Sequence, residues 1–560
     1  MSEKKKPEKE TLDFTKIKLS RREAVSTAAK VAGAAVAGLV VGGIVGYVAT
    51  PKAAPATTTV TVPTTVKETV TTTTTVGTGA AATVTETVTT TAEKTVTVTT
   101  TAAPTAPGLA ELRRELAQKY ATAKPGEKFL VGHVVWTLAH EPPKYDAQAG
   151  DQAARQLGLE YKILEVGTGV PATIEGTESL IAAGAKGISF WAPAIAAIKE
   201  ISKICNENKV FAATAWCRDP DCLPGDLGPY WFLEFSTMSD EMSFQSITML
   251  FEKMRKYGRT KCLHVQSSKT IATDSTSLIN QGIAIAWRRY PEIVLLGHYW
   301  GEWAFEPGRK AGEDALAVRT DYEALWGHND DQALGTASAF EERGINIGPF
   351  AASRDAILKC CERVAEGTWF STSLTEFQYF GGKRVVAIYD AATGASYPLR
   401  DEMIQSPWVT EILNMTDPKI KAENEELIKL SGLWWHPTFV VCDASKLIDF
   451  LKISEKYPAE EYPYDFRLMS IGKCQELGLT YDVHGGNTLT ANNFYYIPMS
   501  PRFQVDPDPT SGKNTEEFRK QFRLTLKHFL DLSIDTHDQL LKKWAEAEAD
   551  GLKLEPVWGR

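Results

Sequence analysis

The chain has 560 residues, 61 Lys and Arg against 70 Asp and Glu, a net charge of −9 at pH 7, and 43% hydrophobic residues. That length exceeds one ordinary hydrophobic core, so two or three folding units are expected. The acidic balance, with no dense Lys/Arg stripe beyond the N-terminus, excludes nucleic-acid binding as the main role.

Residues 1–30 form a basic N-terminal segment that contains Ser20-Arg21-Arg22-Glu23-Ala24-Val25. This pattern resembles a twin-arginine export signal, with Ala24 in the place of the usual phenylalanine. Residues 31–50 are an apolar Ala/Val/Gly run. At ~1.5 Å per helical residue it is long enough to cross a hydrocarbon core of ~30 Å. Basic residues on its N-terminal side predict that end inside and the remainder outside. Cleavage near Ala54-Pro55-Ala56 is the alternative to an uncleaved anchor, and no Cys follows that could carry a lipid. The expected location is the cell membrane, crossed once, with the globular part extracytoplasmic.

Residues 51–107 are almost wholly Thr, Val, Ala and Pro. Their Thr-Val alternation fits a strand, but bulky apolar surface is scarce and no turn signals break the segment into hairpins. It reads as an extended stalk, open to O-glycosylation.

From Lys128 the pattern alternates strand and helix. Strands are expected at residues 129–135, 160–166, 187–190 and 210–214, with helices at 144–157, 171–183 and 194–208 between them. Such alternation requires a parallel sheet covered on both faces. This first lobe spans 108–238, with a crossover near Phe232 to Ser236. The second, 239–368, repeats the rhythm: strands at 261–266 and 293–297, helices at 240–257, 275–290 and around 311–320. It closes with Glu323 to Arg354, where a strand (Ala324 to Trp326) stops at Gly327. The loop His328-Asn329-Asp330 follows, a helix capped by Asp330 or Asp331 comes next, and Ile345 to Phe350 forms another strand. A last helix is expected at 354–366. Strand, polar loop, helix, Gly stop, strand is one parallel βαβ unit. Ligands sit beyond the carboxyl ends of strands in open α/β sheets, which places Asn329 and Asp330 at a ligand.

The Asn-Asp-x-x-Ala-Leu-Gly run at 329–335 resembles the C-terminal lobe of type I periplasmic sugar-binding proteins, the ribose-binding-protein-like group. Residues 152–198 are similar to that family's first lobe in register throughout. The resemblance covers roughly Lys128 to Phe380 and implies a specific fold class. That class is α/β: a two-lobed type I periplasmic-binding-protein fold, parallel sheets flanked by helices, plus a C-terminal α+β extension. Residues 369–380 would be the return crossover and 381–560 the extension. In the extension, Gly381-Gly382 break the chain, 385–389 and 396–397 look like a hairpin, and 515–550 reads as one or two amphipathic helices.

Trp136, Trp191, Trp216, Trp300 and Trp303 all fall at or just beyond predicted carboxyl ends of strands. A sugar ring has apolar C–H faces and a hydroxyl rim, so flat aromatic walls with polar groups at the edge suit it. Polar partners are expected from His140, Asp219, Asp274, Asn280, Asn329, Asp330, Ser353 and Arg354. The resemblance implies Asn329 directly, because its loop matches the family's ligand-binding Asn. Elsewhere the chain departs from the family. The paired ring-stacking Phe residues are replaced by Trp136 and His140, the Asp-Arg pair after strand four by Thr214 to Trp216, and the Asp after Phe350 by Ala351. These changes argue against ribose and for a different sugar.

Cys217 and Cys222 are spaced for a local disulfide in an oxidising compartment or remain two thiols. No Cys pair has zinc-site spacing. His484-Gly485-Gly486-Asn487 has the look of an oxyanion loop but lacks a G-x-S-x-G elbow, and no H-E-x-x-H or P-loop occurs. No catalytic residue, cofactor or metal is expected. The family implies sugar binding by hinge closure and docking on an ABC permease. A stalked surface protein that reuses the fold, and a surface glycosidase, are the alternatives; the latter needs only two carboxylates.

Overall fold

The computed structural model describes residues 58–75 and 83–100, most of 117–397, and parts of 433–553. It divides into two compact units, Met1–Leu112 and Arg113–Arg560. Among the described residues no helix is long and apolar enough to cross a membrane, and the apolar run 31–50 lies outside them.

In the first unit, β1 (Thr58–Thr75) pairs antiparallel with β2 (Thr83–Thr100), in register from Thr58↔Thr100 to Thr75↔Thr83. The Thr/Val segment is therefore a two-stranded ribbon rather than a single extended chain. Thr and Val are strand formers, and Gly77 and Gly79, a turn signal passed over in the sequence, lie between the strands.

The second unit has two sheets. The first lobe comprises β3 (Leu130–Val135), α1 (Glu141–Leu157), β4 (Glu160–Glu165), α2 (Val170–Ala182) and β5 (Ala185–Phe190), followed by α3 (Ile198–Asn208), β6 (Phe211–Ala215) and β7 (Trp231–Thr237). Residues 232–236, expected as a crossover, are instead a strand, and the chain leaves the lobe one residue after it. The second lobe comprises α4 (Ser239–Lys256), β8 (Lys261–Gln266), α5 (Asp274–Arg289), β9 (Val294–Trp300), α6 (Phe305–Val318), β10 (Ala324–Gly327), α7 (Asp330–Glu342), β11 (Ala351–Ala352) and α8 (Leu358–Glu366). The strand expected at 345–350 shrinks to β11 after a 3-10 turn at Gly348–Phe350.

β12 (Thr372–Leu374) then leads to α9 (Phe377–Ala392), which packs on α1, β5 and β6. Beyond it lie β13 (Leu433–His436), β14 (Phe439–Val441), α10 (Ser445–Leu451), α11 (Ile453–Lys456), α12 (Ile471–Leu477), β15 (Tyr495–Tyr496), α13 (Asn514–Phe529) and α14 (His537–Ala549).

The first sheet runs β13-β7-β6-β5-β3-β4 and the second β11-β10-β8-β9. Counted from its own first strand, the first lobe has the order 2-1-3-4-5 and the second 2-1-3-4, the doubly wound arrangement whose switch point lies beside the first strand. The strands are parallel throughout both sheets. Their near-continuous burial in β3, β6 and β8 follows from helices on both faces. β13, from the extension, adds an edge strand to the first sheet; the side chains of its Trp434-Trp435-His436 lie outside the described residues, as does His484.

Local sequence explains the element ends. Pro142 and Pro143 open α1, where missing N–H groups cost nothing, and Gly158 closes it at φ 81°. α7 is capped by Asn329, one residue before the expected caps, whose side chain accepts from the Gln332 N–H at 3.0 Å. The hairpin expected after Gly381-Gly382 is absent: α9 passes straight through both glycines. A Cβ on Gly381 would stand 1.9 Å from the Asp146 carbonyl oxygen, and one on Gly382 would stand 2.0 Å from the Phe466 ring. These glycines are small for packing reasons, not to break a helix.

Candidate ligand-binding site

The carboxyl ends of both sheets face one cavity of about 600 Å³, its open mouth included. Trp136 follows β3, Trp191 follows β5 and Trp216 follows β6. From the other lobe come Thr273 and Ser275 after β8, Trp303 after β9, Asn329 and Asp331 after β10, and Arg354 and Asp355 after β11. His140, Pro142 and Pro143 at the start of α1 and Phe377 at the start of α9 complete the wall.

Aromatic rings make most of it. Trp191 and Trp216 lie 4.8 Å apart at 60°, and Phe377 stands 5.3 and 5.6 Å from them at nearly the same tilt. Three rings in mutual edge-tilted contact form a rigid apolar corner. Trp136 and His140 are 5.3 Å apart on the opposite flank. Trp216, Trp303 and Asp355 hold φ values of 55°, 60° and 108°, and their neighbours Glu302 and Ala356 hold 50° and 54°. Non-glycine residues adopt this region at a cost of about 1–3 kcal/mol each, and they concentrate where a ligand is gripped.

The polar groups divide by how fully they are occupied. Asn329 is engaged twice, as the α7 cap and through an N–H donated to the Trp303 carbonyl at 3.0 Å, so it sets the shape of the Trp303 loop. The Arg354 guanidinium donates to Ser275 Oγ at 3.2 Å and lies 3.9 Å from the Asp355 carboxylate. Burial pushes Asp355 well above the usual carboxylate range, against the pull of Arg354. Burial, with Glu141 and Asp330 nearby, likewise raises Asp331 to about 7. Its carboxylate is 3.9 Å from His140 Nδ1, and burial holds that imidazole below its ordinary value. Thr273 Oγ1 is buried with no hydrogen-bond partner among the described residues.

Seven of the residues expected at a ligand thus meet in one place: Trp136, His140, Trp191, Trp216, Trp303, Asn329 and Arg354. Asp219, Asn280, Trp300, Asp330 and Ser353 do not line the cavity. Asp330 is fully buried behind it, accepting from Ser353 Oγ at 2.5 Å, Thr372 Oγ1 at 2.8 Å and the Ile357 N–H at 2.9 Å. That knot ties α7 to β11, β12 and α8, and it consumes Ser353 as well. Asn280 donates to Gln266 Oε1 at 2.7 Å and to the Phe529 carbonyl at 3.2 Å, joining α5 to the extension. Asp219 accepts from the Asp221 N–H and faces Lys199. Trp300 ends β9 with its ring against His298, and Asp274 is the first residue of α5, its side chain outside the described residues. Cys217 and Cys222 form no disulfide; the Cys217 Sγ lies 3.1 Å from the Glu234 carboxylate instead.

The chain is similar in structure to several solved proteins. One is a twin-arginine translocation pathway signal protein from Burkholderia phytofirmans, at 16% identity and TM-score 0.48, over 60% of this chain and 95% of that one. Another is a periplasmic sugar-binding protein from Pseudomonas fluorescens, at 17% identity and TM-score 0.49, over 63% and 96%. A third is the binding component of the arabinose ABC transporter of Shewanella sp. ANA-3, at 19% identity and TM-score 0.45, over 60% and 99%. No protein-family model and no curated protein matches the chain. The two lobes, each a parallel sheet flanked by helices and each starting in the same strand order, make this a two-lobed doubly wound α/β fold.

Sequence reasoning missed Pro142, Pro143, Thr273, Ser275, Asp331, Asp355 and Phe377. Four of these were within reach of it. Pro142-Pro143 follow directly on the loop of Trp136, Asp331 adjoins Asp330, and Asp355 adjoins Arg354. Phe377 carries no local signal, since its place depends on α9 returning to the first lobe.

Proposed function

We propose that this protein is an extracytoplasmic solute receptor that holds a sugar between its two lobes and delivers it to an ABC permease. The observation that supports this reading is the cavity itself: indoles from both sheets form apolar walls, and Arg354, Asp331, Asp355 and Thr273 supply a polar edge. Flat C–H faces stack on such walls while ring hydroxyls hydrogen-bond to the carboxylates and to the unpartnered Thr273 hydroxyl. Because both lobes contribute, ligand binding favours the closed form, and that form is what a permease would recognise. The apolar run 31–50 would anchor the chain, with the Thr/Val ribbon carrying the globular unit outside the cell.

Calorimetry of the full chain against mono- and oligosaccharides tests the reading. Trp136→Ala and Trp303→Ala are each expected to weaken binding at least tenfold with little change in melting temperature. Unchanged affinity in both variants rejects the cavity as the site. A second reading, glycoside hydrolysis, is favoured by the two carboxylates in the cavity, one raised to about 7 and so suited to donate a proton. Asp355, however, is faced by the Arg354 guanidinium at 3.9 Å rather than held free as a nucleophile. Release of sugar from chromogenic glycosides by the full chain would decide for it.

A further inference from the structure

The two carboxylates of the cavity are not in equal positions. Asp355 has a cation of its own, Arg354, at 3.9 Å. Asp331 has only His140 within that distance, an imidazole whose charged form is disfavoured by burial. Among the described residues no hydrogen bond reaches the Asp331 carboxylate, although its side chain is only 18% exposed. The charges around it do not close. Glu141, Asp330 and Asp355 are the acids on this side of the cavity, and Lys359 and Arg354 the bases. The Glu141 carboxylate is taken by Tyr145 and the Leu358 N–H. Lys359 is exposed and turned to the Phe305 ring at 4.8 Å. Beside Asp331, and in contact with the same His140, stands Trp136, whose indole face attracts cations.

We propose that the ligand carries a protonated amine, seated between the Asp331 carboxylate and the Trp136 indole, and that the natural ligand class is the amine-bearing sugars. This rests on the sugar-receptor reading above and sharpens it. A ring hydroxyl can donate to the Asp331 carboxylate but leaves its charge uncompensated. An ammonium brings the counter-charge together with the hydrogen bond and adds a cation–π contact that no hydroxyl can make. The unpartnered Thr273 hydroxyl, also in the wall, is left for the sugar's own hydroxyls.

The experiment compares glucosamine, galactosamine and mannosamine with glucose, galactose and mannose by calorimetry on the full chain. At least one amine is expected to bind tenfold or more tighter than its hydroxyl counterpart. Asp331→Asn should remove that preference, and Asp331→Glu, which keeps the charge, should retain part of it. Because Asp331 takes up a proton near pH 7, amine affinity should fall towards tenfold per unit as the pH drops below that value. A flat profile between pH 5.5 and 7.5, or a preference that survives Asp331→Asn, overturns the proposal. Neutral sugars that bind as tightly as their amines overturn it while leaving the sugar-receptor reading in place. Binding by none of the six, and by no other saccharide, removes both.

Discussion

His133, Asp146 and Arg384 sit together with no exposure, where β3, α1 and α9 meet. Arg384 Nη2 donates to the Asp146 carboxylate at 2.6 Å and its Nε to Ser189 Oγ at 2.9 Å. Burial still raises Asp146 to about 6, so removal from water outweighs the attraction of the guanidinium. Arg384→Met should therefore destabilise by about 3–5 kcal/mol in urea denaturation, because Asp146 is left buried and alone. The double variant with Asp146→Leu should recover a large part of that loss; strict additivity would show that the pair is not coupled. His133 is pushed down to about 3 by burial and by Arg384. Its folded value lies below the unfolded one, so its contribution to stability is complete above pH 6.5 and is lost as the pH falls from there towards 3. Against His133→Gln, the wild type should lose about 1.4 kcal/mol per pH unit below 6.5. A stability difference that does not change with pH would contradict this. None of this triad could be read from sequence, since Asp146 and Arg384 lie 238 positions apart.

At the scale of elements, close helix packing depends on glycines that look like breakers. In α6 and α7, a Cβ on Gly308 would come within 2.3 Å of the Gln332 carbonyl oxygen, and one on Gly335 within 2.0 Å of that of Phe305. The Ala-Leu-Gly of the 329–335 run is thus a packing device that brings α7 against α6, as well as a sign of a βαβ unit. Gly381 does the same for α9 on α1. Gly381→Ala should destabilise by about 1–3 kcal/mol through the forced backbone shift, although Ala in an exposed helix position normally gains stability over Gly. Denaturant midpoints for the variant settle the sign. Hydrophobic periodicity identified most strands and helices of both lobes because each buries a regular apolar face, but it passed over β7 and misplaced β11. It failed at 381–397, where the small residues that permit a tight crossing were taken for a turn.

For the whole molecule, the question is how far the lobes can part. The Glu141 carboxylate of the first lobe accepts from the Leu358 N–H of the second at 2.9 Å, and His140 faces Asp331 across the cavity. The extension touches both lobes. Its residues 454–464 are hydrogen-bonded to Gln148 and Gln152 of α1, and α10 packs on α8. In the second lobe, Phe529, Trp544 and Leu552 join the core of Ile279, Ile283 and Trp287. A ligand that bridges the lobes should lower the radius of gyration of the free protein in solution scattering. An identical curve with and without saturating ligand would mean that the extension already holds the lobes together, and closure would have to be abandoned as the signal.

Alone, the sequence determined the rhythm of strand and helix, the two lobes, and the placing of indoles and polar groups after strand ends. These are local properties, written in periodicity and in the residues that stop each strand. Only the tertiary structure decided which of those residues share a cavity. It turned Asp330, Ser353 and Asn280 inward to tie elements together, and it brought Asp331, Asp355 and Phe377 to the wall. The reason is physical: whether a carboxylate is spent inside the protein or left for a ligand depends on which distant N–H and O–H groups the fold brings to it.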